Sequence, residues 1–593
     1  MKKGIIYLAA ALSLFLASGA LAAEWEWVNP LPHGNAMRDV FGLQNGKRYA
    51  VGNGGTVMAK DGSGPWTVVR HGLGTDDLFA VWASDGGSIF AVGRTGAIYR
   101  FDGSAWTKTV LGIGANEIYG IWGLSGTDVY VIGSAGLVYH FDGGSWTQVV
   151  HGLGTPILTC IWGSSSTDLY IGSQSGKIWH YNGSGWSDVA HGLGALWLYD
   201  AWGTSASNIY FLAQNRVWHY DGSSWTSFTN FLFDPGMRRL WGTAPDSFYA
   251  TGNSNVYRFS GGAWSIAFPE TGLGIWCSAD DDIYLAGDAH VLKHYDGSAW
   301  QNEFSSIVYS ILSSVWGLSE SNIYIVDWDG QVLHYDGTSW TVVYDCMSLL
   351  KAVWGPTADN IYAAGDNPAL IHWNGSSWAT VDEVSAGFGS LNDIWGTSAS
   401  DVYVVGDEGR VLHYNGSAWS EQTIGFPTYF RGVFGFSSTD VWIVGTSFNA
   451  YHWDGTSWNE SPMGDMLHDG NCVWGTSSSN LYVGGAYLSH FDGTSWTDLD
   501  LGPDSVGCTY SKIWGSSASD IYAATRSGRI FHYDGTSWSR KDSLRTSNVL
   551  LGLWGSSASN IYAVGEYTTI LRLYVPPPPP CFIESLFPVP EIK

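Results

Sequence analysis

Residues 391–419 read LNDIWG-TSASD-VYVVG-DEG-RVLHYNG-SAW, and this pattern recurs along almost the whole chain. Apolar runs of four to six residues, rich in Val, Ile, Tyr and Trp, alternate with short groups of Gly, Ser and Asp. Such runs are typical of β-strands bounded by turns and are too short for helices. Each repeat of about forty residues therefore supplies four short strands.

Two aromatic anchors mark the repeat. The first is an aromatic residue that Gly follows in most copies, and it occurs fourteen times, at Phe41, Trp82, Trp122, Trp162, Trp202, Trp241, Trp276, Trp316, Trp354, Trp395, Phe434, Trp474, Trp514 and Trp554. The second is the Trp of a D-G-x-S-W pattern, which follows the first thirteen anchors by 22 to 25 residues. Self-similarity at this period, with four strands per copy, predicts the blades of a β-propeller.

The number of repeats predicts an all-β fold of fourteen four-stranded blades. Because one axis usually carries four to eight blades, two seven-bladed rings are favoured, and one closed ring of fourteen is the alternative. The last repeat stops after three strands at Tyr574, whereas residues 24–28, EWEWV, look like an unpartnered fourth strand. We therefore expect residues 23–304 to form the first propeller, except that strand 24–28 completes the last blade of the second, 305–575. A Pro-rich tail, 576–593, follows.

The first residues have the form of a signal peptide. Lys2 and Lys3 precede an apolar run from Ile5 to Leu16, and Ala20-Leu21-Ala22 fits an A-x-A cleavage site. A signal peptide over residues 1–22 predicts a secreted, periplasmic or cell-surface protein. No later run approaches the roughly eighteen apolar residues of a membrane-spanning helix, so no transmembrane segment is expected after its removal.

Charge and cysteine content exclude several classes of function. The net charge is -26, and the 27 Lys and Arg residues are scattered, which argues against a nucleic-acid partner. The six cysteines form no C-x-x-C motif. Cys472 and Cys508 lie in adjoining repeats, so they either form a disulfide or are small buried residues.

The D-G-x-S-W hairpins, such as residues 335–340, YDGTSW, resemble those of secreted bacterial propellers with Asp-box (BNR) or kelch-type repeats. The resemblance spans about residues 24–574. The Asp box of sialidase-like propellers reads S-x-D-x-G-x-T-W and has one more residue between Asp and Trp. The resemblance implies a folding role for the hairpin, with Asp capping the turn and Trp packing beneath it, and implies no glycosidase activity.

Ten histidines occupy one repeat position in strand c: His140, His180, His219, His294, His334, His372, His413, His452, His490 and His532. A metal site needs two or three ligands within about 2 Å of one ion, whereas equivalent positions of successive blades are dispersed around an axis. We expect each His to bond locally to the Asp or Asn of the S-x-x-D/N turn, such as Asp401, Asn360 or Asp520. No metal site, cofactor or catalytic residue is predicted, and G-x-S-x-G, H-E-x-x-H and P-loop motifs are missing from the sequence.

The residues that break the repeat are the candidates for ligand binding. Charged residues replace small ones just before the strand-a anchor, where they either line the mouth of the channel or are solvated or paired charges, at Asp39, Asp200, Arg239, Asp393 and Lys512. The connections from strand d to the next strand a emerge on one face, where propellers often bind ligands. The aromatic candidates on these loops are Trp197, Tyr199, Phe231, Phe233, Tyr429 and Phe430.

These features favour an exported interaction scaffold that binds a protein or a cell-surface polysaccharide through its loop face. A lectin-like propeller is the first alternative, and a glycoside hydrolase or lyase is the second. A glycosidase needs two carboxylates about 5–10 Å apart, and the sequence does not identify such a pair.

Overall fold

A computed structural model describes residues 24–574, except 30–33, 70, 193, 215, 230–235, 289–290, 304–305, 308–309, 367–369, 386–388, 425–428, 447–448, 465–468, 542–545 and 547. The described residues form fourteen four-stranded antiparallel sheets, so the predicted all-β fold of fourteen blades is confirmed. The predicted signal peptide, the Pro-rich tail and Cys581 lie outside the described residues.

Strands are numbered β1 to β56 in chain order, and β1 is Glu24–Asn29. Blades 1 to 7 contain β2 to β29, four strands each: Met37–Gly42, Lys47–Gly52, Val57–Asp61, Thr67–Val68; Leu78–Ala83, Ile89–Gly93, Ala97–Phe101, Trp106–Val110; Ile118–Ser125, Asp128–Gly133, Val138–Phe141, Trp146–Gln148; Leu158–Ser165, Asp168–Ser173, Ile178–Tyr181, Trp186–Asp188; Leu198–Ser205, Asn208–Ala213, Arg216–Tyr220, Trp225–Thr229; Leu240–Ala244, Ser247–Thr251, Val256–Ser260, Ala263–Phe268; Gly274–Ala279, Asp282–Ala286, Leu292–Tyr295, Trp300–Asn302.

Blades 8 to 13 contain β30 to β53, and blade 14 contains β54 to β56: Leu312–Ser319, Asn322–Asp327, Gln331–Tyr335, Trp340–Asp345; Leu350–Thr357, Asn360–Gly365, Leu370–Trp373, Trp378–Thr380; Leu391–Ser398, Asp401–Gly406, Arg410–Tyr414, Trp419–Thr423; Phe430–Ser437, Asp440–Gly445, Asn449–Trp453, Trp458–Pro462; Gly470–Ser477, Asn480–Gly485, Leu488–Phe491, Trp496–Asp498; Tyr510–Ser517, Asp520–Thr525, Ile530–Tyr533, Trp538–Arg540; Leu550–Ser557, Asn560–Gly565, Ile570–Tyr574.

Helical structure in the described residues is confined to turns. One helix, α1, is Asp382–Ser385, and the 3-10 turns are Asn53–Gly55, Arg94–Gly96, Ser134–Gly136, Asp407–Gly409 and Pro503–Ser505. No helix in the described part of the chain is long and apolar enough to span a bilayer.

The antiparallel order of the strands gives each blade two ends. The b-to-c turns and the d-to-a connections lie at one end, here called the upper face. The a-to-b and c-to-d turns lie at the other, the lower face. Strand a of each blade lies innermost, beside the strands a of the neighbouring blades.

The Trp-Gly anchor forms the contact between neighbouring blades. A Cβ atom added to Gly123 would lie 2.9 Å from the Trp82 ring of the preceding blade, so a larger residue there would collide with that ring. Gly42 faces Trp276 of blade 7 in the same way, and Gly317 faces Trp554 of blade 14. The contacts between strands a therefore close two rings, blades 1–7 and blades 8–14, rather than one ring of fourteen.

The two rings close differently. In the second ring, β1 pairs antiparallel with β56 and completes blade 14, and Trp25 is buried opposite Leu573. In the first ring, side chains join blade 7 to blade 1. The Lys60 ammonium lies 2.7 Å from a Glu303 carboxylate oxygen, and Arg48 lies 2.9 Å from Asp282.

The histidine array is architectural, as predicted. In all ten repeats, Nε2 of the strand-c His lies 2.6–3.1 Å from the Asp or Asn side-chain oxygen of its own a-to-b turn. In blade 10, for example, His413 bonds to Asp401, whose other oxygen accepts from the Thr397 hydroxyl. The carboxylate thus separates the hydroxyl from the imidazole, so the group is not a nucleophile paired with a base.

The D-G-x-S-W hairpin has the folding role that was expected. Asp336 Oδ1 accepts hydrogen bonds from the backbone N–H groups of Thr338 (2.8 Å) and Ser339 (2.9 Å). These bonds and the one from the Thr338 hydroxyl lower the pKa of Asp336 to about 2. Gly337 has a φ of 94°, which favours glycine.

The described cysteines are all free thiols. Cys472 is buried in strand a of blade 12, and buried Cys508 lies 3.4 Å from the Ser527 hydroxyl. Of the two interpretations left open for this pair, the structure shows buried small residues.

Candidate functional site

The charged residues that break the repeat meet inside the channels of the two rings. In the first ring, the Arg239 guanidinium lies between two carboxylates, 3.7 Å from Asp39 and 3.5 Å from Asp200. Arg239 also donates to the Phe79 carbonyl oxygen at 3.3 Å. In the second ring, the Lys512 ammonium lies 3.2 Å from Asp393. The interpretation of these residues as paired charges is therefore confirmed, whereas a role in ligand binding stays a prediction.

Each of the three channel aspartates also accepts a hydrogen bond from the backbone of the next blade. Asp39 accepts the backbone N–H of Val81 at 3.0 Å, and Asp200 accepts that of Leu240 at 2.8 Å. Asp393 makes the same bond at 3.1 Å to Val433. These carboxylates therefore hydrogen-bond neighbouring blades to each other. This structural role accounts for their presence without a catalytic function.

Burial controls the protonation of the channel charges. It raises the pKa of Asp200 to about 6, even though Arg239 opposes the shift, and it raises the pKa of Asp39. Burial alone would lower the pKa of Lys512, but the neighbouring Asp393 raises it above its ordinary value. The channel of the first ring thus contains two carboxylates, Asp39 and Asp200, and one cation, Arg239. The channel of the second ring contains one carboxylate, Asp393, and one cation, Lys512, so its charges balance.

Two cavities occupy the channel of the first ring. A chamber of about 260 Å³ contains the charged cluster, and its aromatic wall consists of Phe41, Trp82, Trp122, Trp162, Trp202 and Trp241. A bowl of about 650 Å³ lies on the lower face among the a-to-b turns. Chamber and bowl share Phe41, Trp82 and Trp241, so the bowl leads into the chamber.

A β-bulge near the start of strand a controls the upper rim of each channel. The register shifts at this point in blades 1–5 and 8–14. The bulged residue directly precedes the channel position, so Phe79 precedes Ala80 and Lys351 precedes Ala352. Bulges re-aim side chains, and these residues form the rim. Among these rim residues only Tyr199 was a candidate from the sequence, where it was expected on a d-to-a loop, whereas it lies in strand a of blade 5.

The rim of the first ring is aromatic. Phe79 and Tyr119, on adjacent blades, stack with ring centroids 6.0 Å apart and planes 16° apart. Trp197 and Tyr199 stack at 5.3 Å and 17°, and 41% of the Trp197 surface is exposed. Two of the predicted aromatic candidates therefore lie together in one pair.

The rim of the second ring is polar and basic. A mouth of about 360 Å³ contains the seven rim residues Ser313, Lys351, Asn392, Arg431, Asn471, Ser511 and Leu551. Four of these side chains donate a hydrogen bond to a strand-a carbonyl oxygen of the next blade, as the Ser313 hydroxyl does to Leu350 at 2.6 Å. Trp328 and Arg526 also line this mouth.

The remaining aromatic candidates have different environments. Tyr429 lines the mouth of the second ring and is 54% exposed. Phe430 was expected to present a ring to a ligand, but it is fully buried and packs against Tyr451 in the blade core. It begins strand a, where the side chain before the bulge points into the sheet packing. Phe231 and Phe233 lie outside the described residues.

Metal binding has no support in the described part of the chain, where no three His, Cys, Asp or Glu side chains are grouped as an ion would require. Two aspartates of the acidic run at residues 280–282 form ion pairs with other side chains of this chain. Asp280 pairs with Arg258, and Asp282 pairs with Arg48 and His294.

Comparisons with known proteins show the fold. No family model matches the chain, and no curated protein sequence matches it. Among solved structures it is similar to PorZ, an essential bacterial surface component of the type-IX secretion system of Porphyromonas gingivalis, with 14% identity, TM-score 0.62 and coverage of 93% of this chain and 86% of that one. It is also similar to the Niastella koreensis GH74 enzyme, with 13% identity, TM-score 0.57 and coverage of 91% and 98%. Both are β-propeller proteins, and the chain is a β-propeller repeat protein.

Proposed function

We propose that this chain is an exported binding protein whose first ring holds a segment of cell-surface polysaccharide on its upper rim. The observation that carries the proposal is the two stacked aromatic pairs, Phe79–Tyr119 and Trp197–Tyr199, at the mouth of one channel. Export rests on the signal-peptide pattern of residues 1–22.

The chemistry of this rim suits a sugar. Ligand sites combine aromatic surface with a few polar groups that fix orientation, and both kinds of group are present. Tyr119 donates its hydroxyl to Glu117 at 2.8 Å, and Arg94 pairs with Glu117 and lies over the Phe79 ring. The C–H face of a sugar would pack on the rings, while its hydroxyls would reach the guanidinium and the carboxylate.

Other polymers fit less well. Single-stranded nucleic acids also stack on aromatic rings, but a net charge of -26 opposes a phosphate backbone. A protein partner would also use exposed aromatic side chains, and it is the second candidate. The bracing bonds of Asp39, Asp200 and Asp393 provide no argument for a glycoside hydrolase or lyase.

A glycan array with competition by free sugar tests the proposal. We expect binding to a defined glycan, and we expect Phe79→Ala combined with Trp197→Ala to weaken it at least tenfold. The matched control is Tyr487→Ala, which removes an exposed ring from a b-to-c turn of the second ring. Failure on every glycan would contradict the proposal, as would equal loss in the control.

A pull-down from envelope extract separates the two candidates. If a polysaccharide is the ligand, the captured material loses its binding after enzymatic cleavage of its glycosidic bonds. Capture that resists cleavage of glycosidic bonds, is lost after protease treatment of the extract and depends on Phe79 and Trp197 would instead assign the rim to a protein partner.

A further inference from the structure

The chamber of the first ring combines a charged cluster with an aromatic wall. Its volume of about 260 Å³ exceeds the cavity of roughly 150 Å³ that accepts benzene in an engineered protein core. Asp39, Asp200 and Arg239 face this space together with the indole rings of Trp82, Trp122 and Trp241. The chamber is thus large enough for a small organic ligand.

The charges of the chamber do not balance. Ionised Asp39 and Asp200 carry two negative charges, and Arg239 supplies one positive charge, 3.7 Å from Asp39 and 3.5 Å from Asp200. The Cys160 thiol also lines the chamber, and burial raises its pKa, so it stays neutral. An uncompensated buried charge is costly, and a second cation in the chamber would remove that cost.

We propose that this chamber binds an organic ammonium ion, whose N–H groups donate to the Asp39 and Asp200 carboxylates and whose alkyl part lies among the aromatic rings. The aromatic rings offer apolar surface to the alkyl part, and their faces also attract a nearby cation, Trp most strongly. Both halves of the ligand therefore have a matching surface in the same cavity.

The lower face gives access to the chamber. The bowl of about 650 Å³ opens among the a-to-b turns and meets the chamber at Phe41, Trp82 and Trp241. On the upper side, Arg239 reaches across to the Phe79 carbonyl oxygen. The site is thus distinct from the aromatic rim on the upper face, and it goes beyond the proposed polysaccharide binding without depending on it.

The second ring provides an internal control. It has the same repeat and the same Trp anchors, but its channel holds one carboxylate, Asp393, and one ammonium, Lys512, at 3.2 Å. Because these charges balance, a further cation gains nothing there. The same molecule thus contains the proposed site, in the first ring, and a matched negative control, in the channel of the second ring.

Isothermal titration of the whole protein with ethylammonium chloride, at constant ionic strength set by sodium chloride, tests the proposal. We expect one saturable site. Asp200→Asn should weaken binding at least tenfold, and the control Asp393→Asn should leave it within twofold. No saturable binding, or equal weakening by both substitutions, would overturn the proposal. Retention of glycan binding by Asp200→Asn would show that the two sites fail independently.

The pH dependence of the unmodified protein provides a test that does not rely on a variant. Burial raises the pKa of Asp200 to about 6 and also raises that of Asp39, whereas a simple amine stays protonated up to about pH 10. Affinity should therefore rise between pH 5 and pH 7.5, and binding near pH 6 should release protons to the buffer. An affinity independent of pH would contradict the role of the carboxylates.

Tetramethylammonium chloride distinguishes the carboxylates from the rings. This ion carries the same charge but has no N–H to donate, so it should bind more weakly than ethylammonium. Tighter binding of the quaternary ion would assign the affinity to the aromatic wall alone and would overturn the proposed contacts to Asp39 and Asp200.

Discussion

The indole of Trp276 lies against Gly42, so blade 7 of the first ring packs directly on blade 1. These two blades consist of separate strand sets, β26–β29 and β2–β5. The first ring is therefore held closed by side-chain packing and by the ion pairs of Lys60 and Arg48, whereas strand pairing closes the second.

Gly42→Leu should destabilise the first ring. A Cβ atom at this position would lie 2.6 Å from the Trp276 ring, and overpacking of this kind costs about 1–3 kcal/mol. Calorimetry should show a lower melting temperature for the first ring. In the control Gly185→Ala, an added Cβ meets no atom within 4 Å, so the change in unfolding free energy should stay within about 0.5 kcal/mol. Equal effects of both substitutions would contradict the closure described here.

The Lys60–Glu303 pair should stabilise the same junction. Both side chains are largely buried, with 8% and 12% of their surfaces exposed. Lys60→Met leaves a buried carboxylate without its cation and should cost about 3–5 kcal/mol, whereas Lys60→Met with Glu303→Leu should cost less. The exposed pair Lys177–Asp188 is the control, and Lys177→Met should cost under about 1 kcal/mol. Additive costs in the double variant would rule out direct coupling of the pair.

Trp25→Ala should destabilise the second ring alone. Trp25 is 2% exposed on β1, which pairs with the last strand of blade 14. Loss of such a side chain costs about 3–5 kcal/mol. The measurement is amide hydrogen exchange in the strands of each ring, which reports the unfolding of the two rings separately. Faster exchange in blades 1–7 with unchanged blades 8–14 would contradict the assignment of β1 to the second ring.

The four strand-c histidines that pair with Asn should lower the stability of the fold as the pH drops from about 7 to 5, whereas protonation of the buried Asp200 carboxyl over the same range acts in the opposite direction. Burial lowers the pKa values of His219, His334, His372 and His490, whose partners are uncharged Asn side chains. The unfolded chain then binds protons near pH 6.5 before the folded chain does, so acid favours unfolding. Thermal melts across this range provide the measurement.

Asn360→Asp supplies the matched variant for that pH effect. A carboxylate beside His372 would stabilise the imidazolium and should reduce the loss of stability between pH 7 and pH 5. Asp401→Asn beside His413 makes the opposite change in the next blade and should increase the loss. Identical pH profiles for both variants would show that the strand-c histidines do not control the acid sensitivity.

Repetition explains why so much of the fold could be predicted. Each blade repeats the same anchors, so the fourteen sheets, the His-to-turn bonds and the hairpin caps all follow from one copy of the pattern. These are local features whose partners lie within about a dozen residues. The number of rings was less accessible, because the Gly42–Trp276 contact joins residues far apart in the chain.

The candidate site was harder to predict because it depends on contacts across the channel. Arg239 meets Asp39 from a blade that is not its neighbour, and no local spacing shows that contact. The rim depends on a one-residue bulge, which shifts the outward-facing position from Ala80 to Phe79 in blade 2. Phe430 was expected to be an exposed loop residue, but it is buried and is the first residue of its strand.

The pairing of β1 with β56 also affects synthesis at the ribosome. Glu24 is opposite Tyr574, so β1, the first strand of the described residues, must wait for β56, the last described strand, before it has a partner. The first ring can close once residue 303 has left the exit tunnel, because all of its strands precede that point. During that interval β1 presents a free edge and two tryptophans, Trp25 and Trp27, to the surroundings. Such an edge invites wrong pairing, so a nascent chain of this kind would benefit from a chaperone that shields its N-terminus.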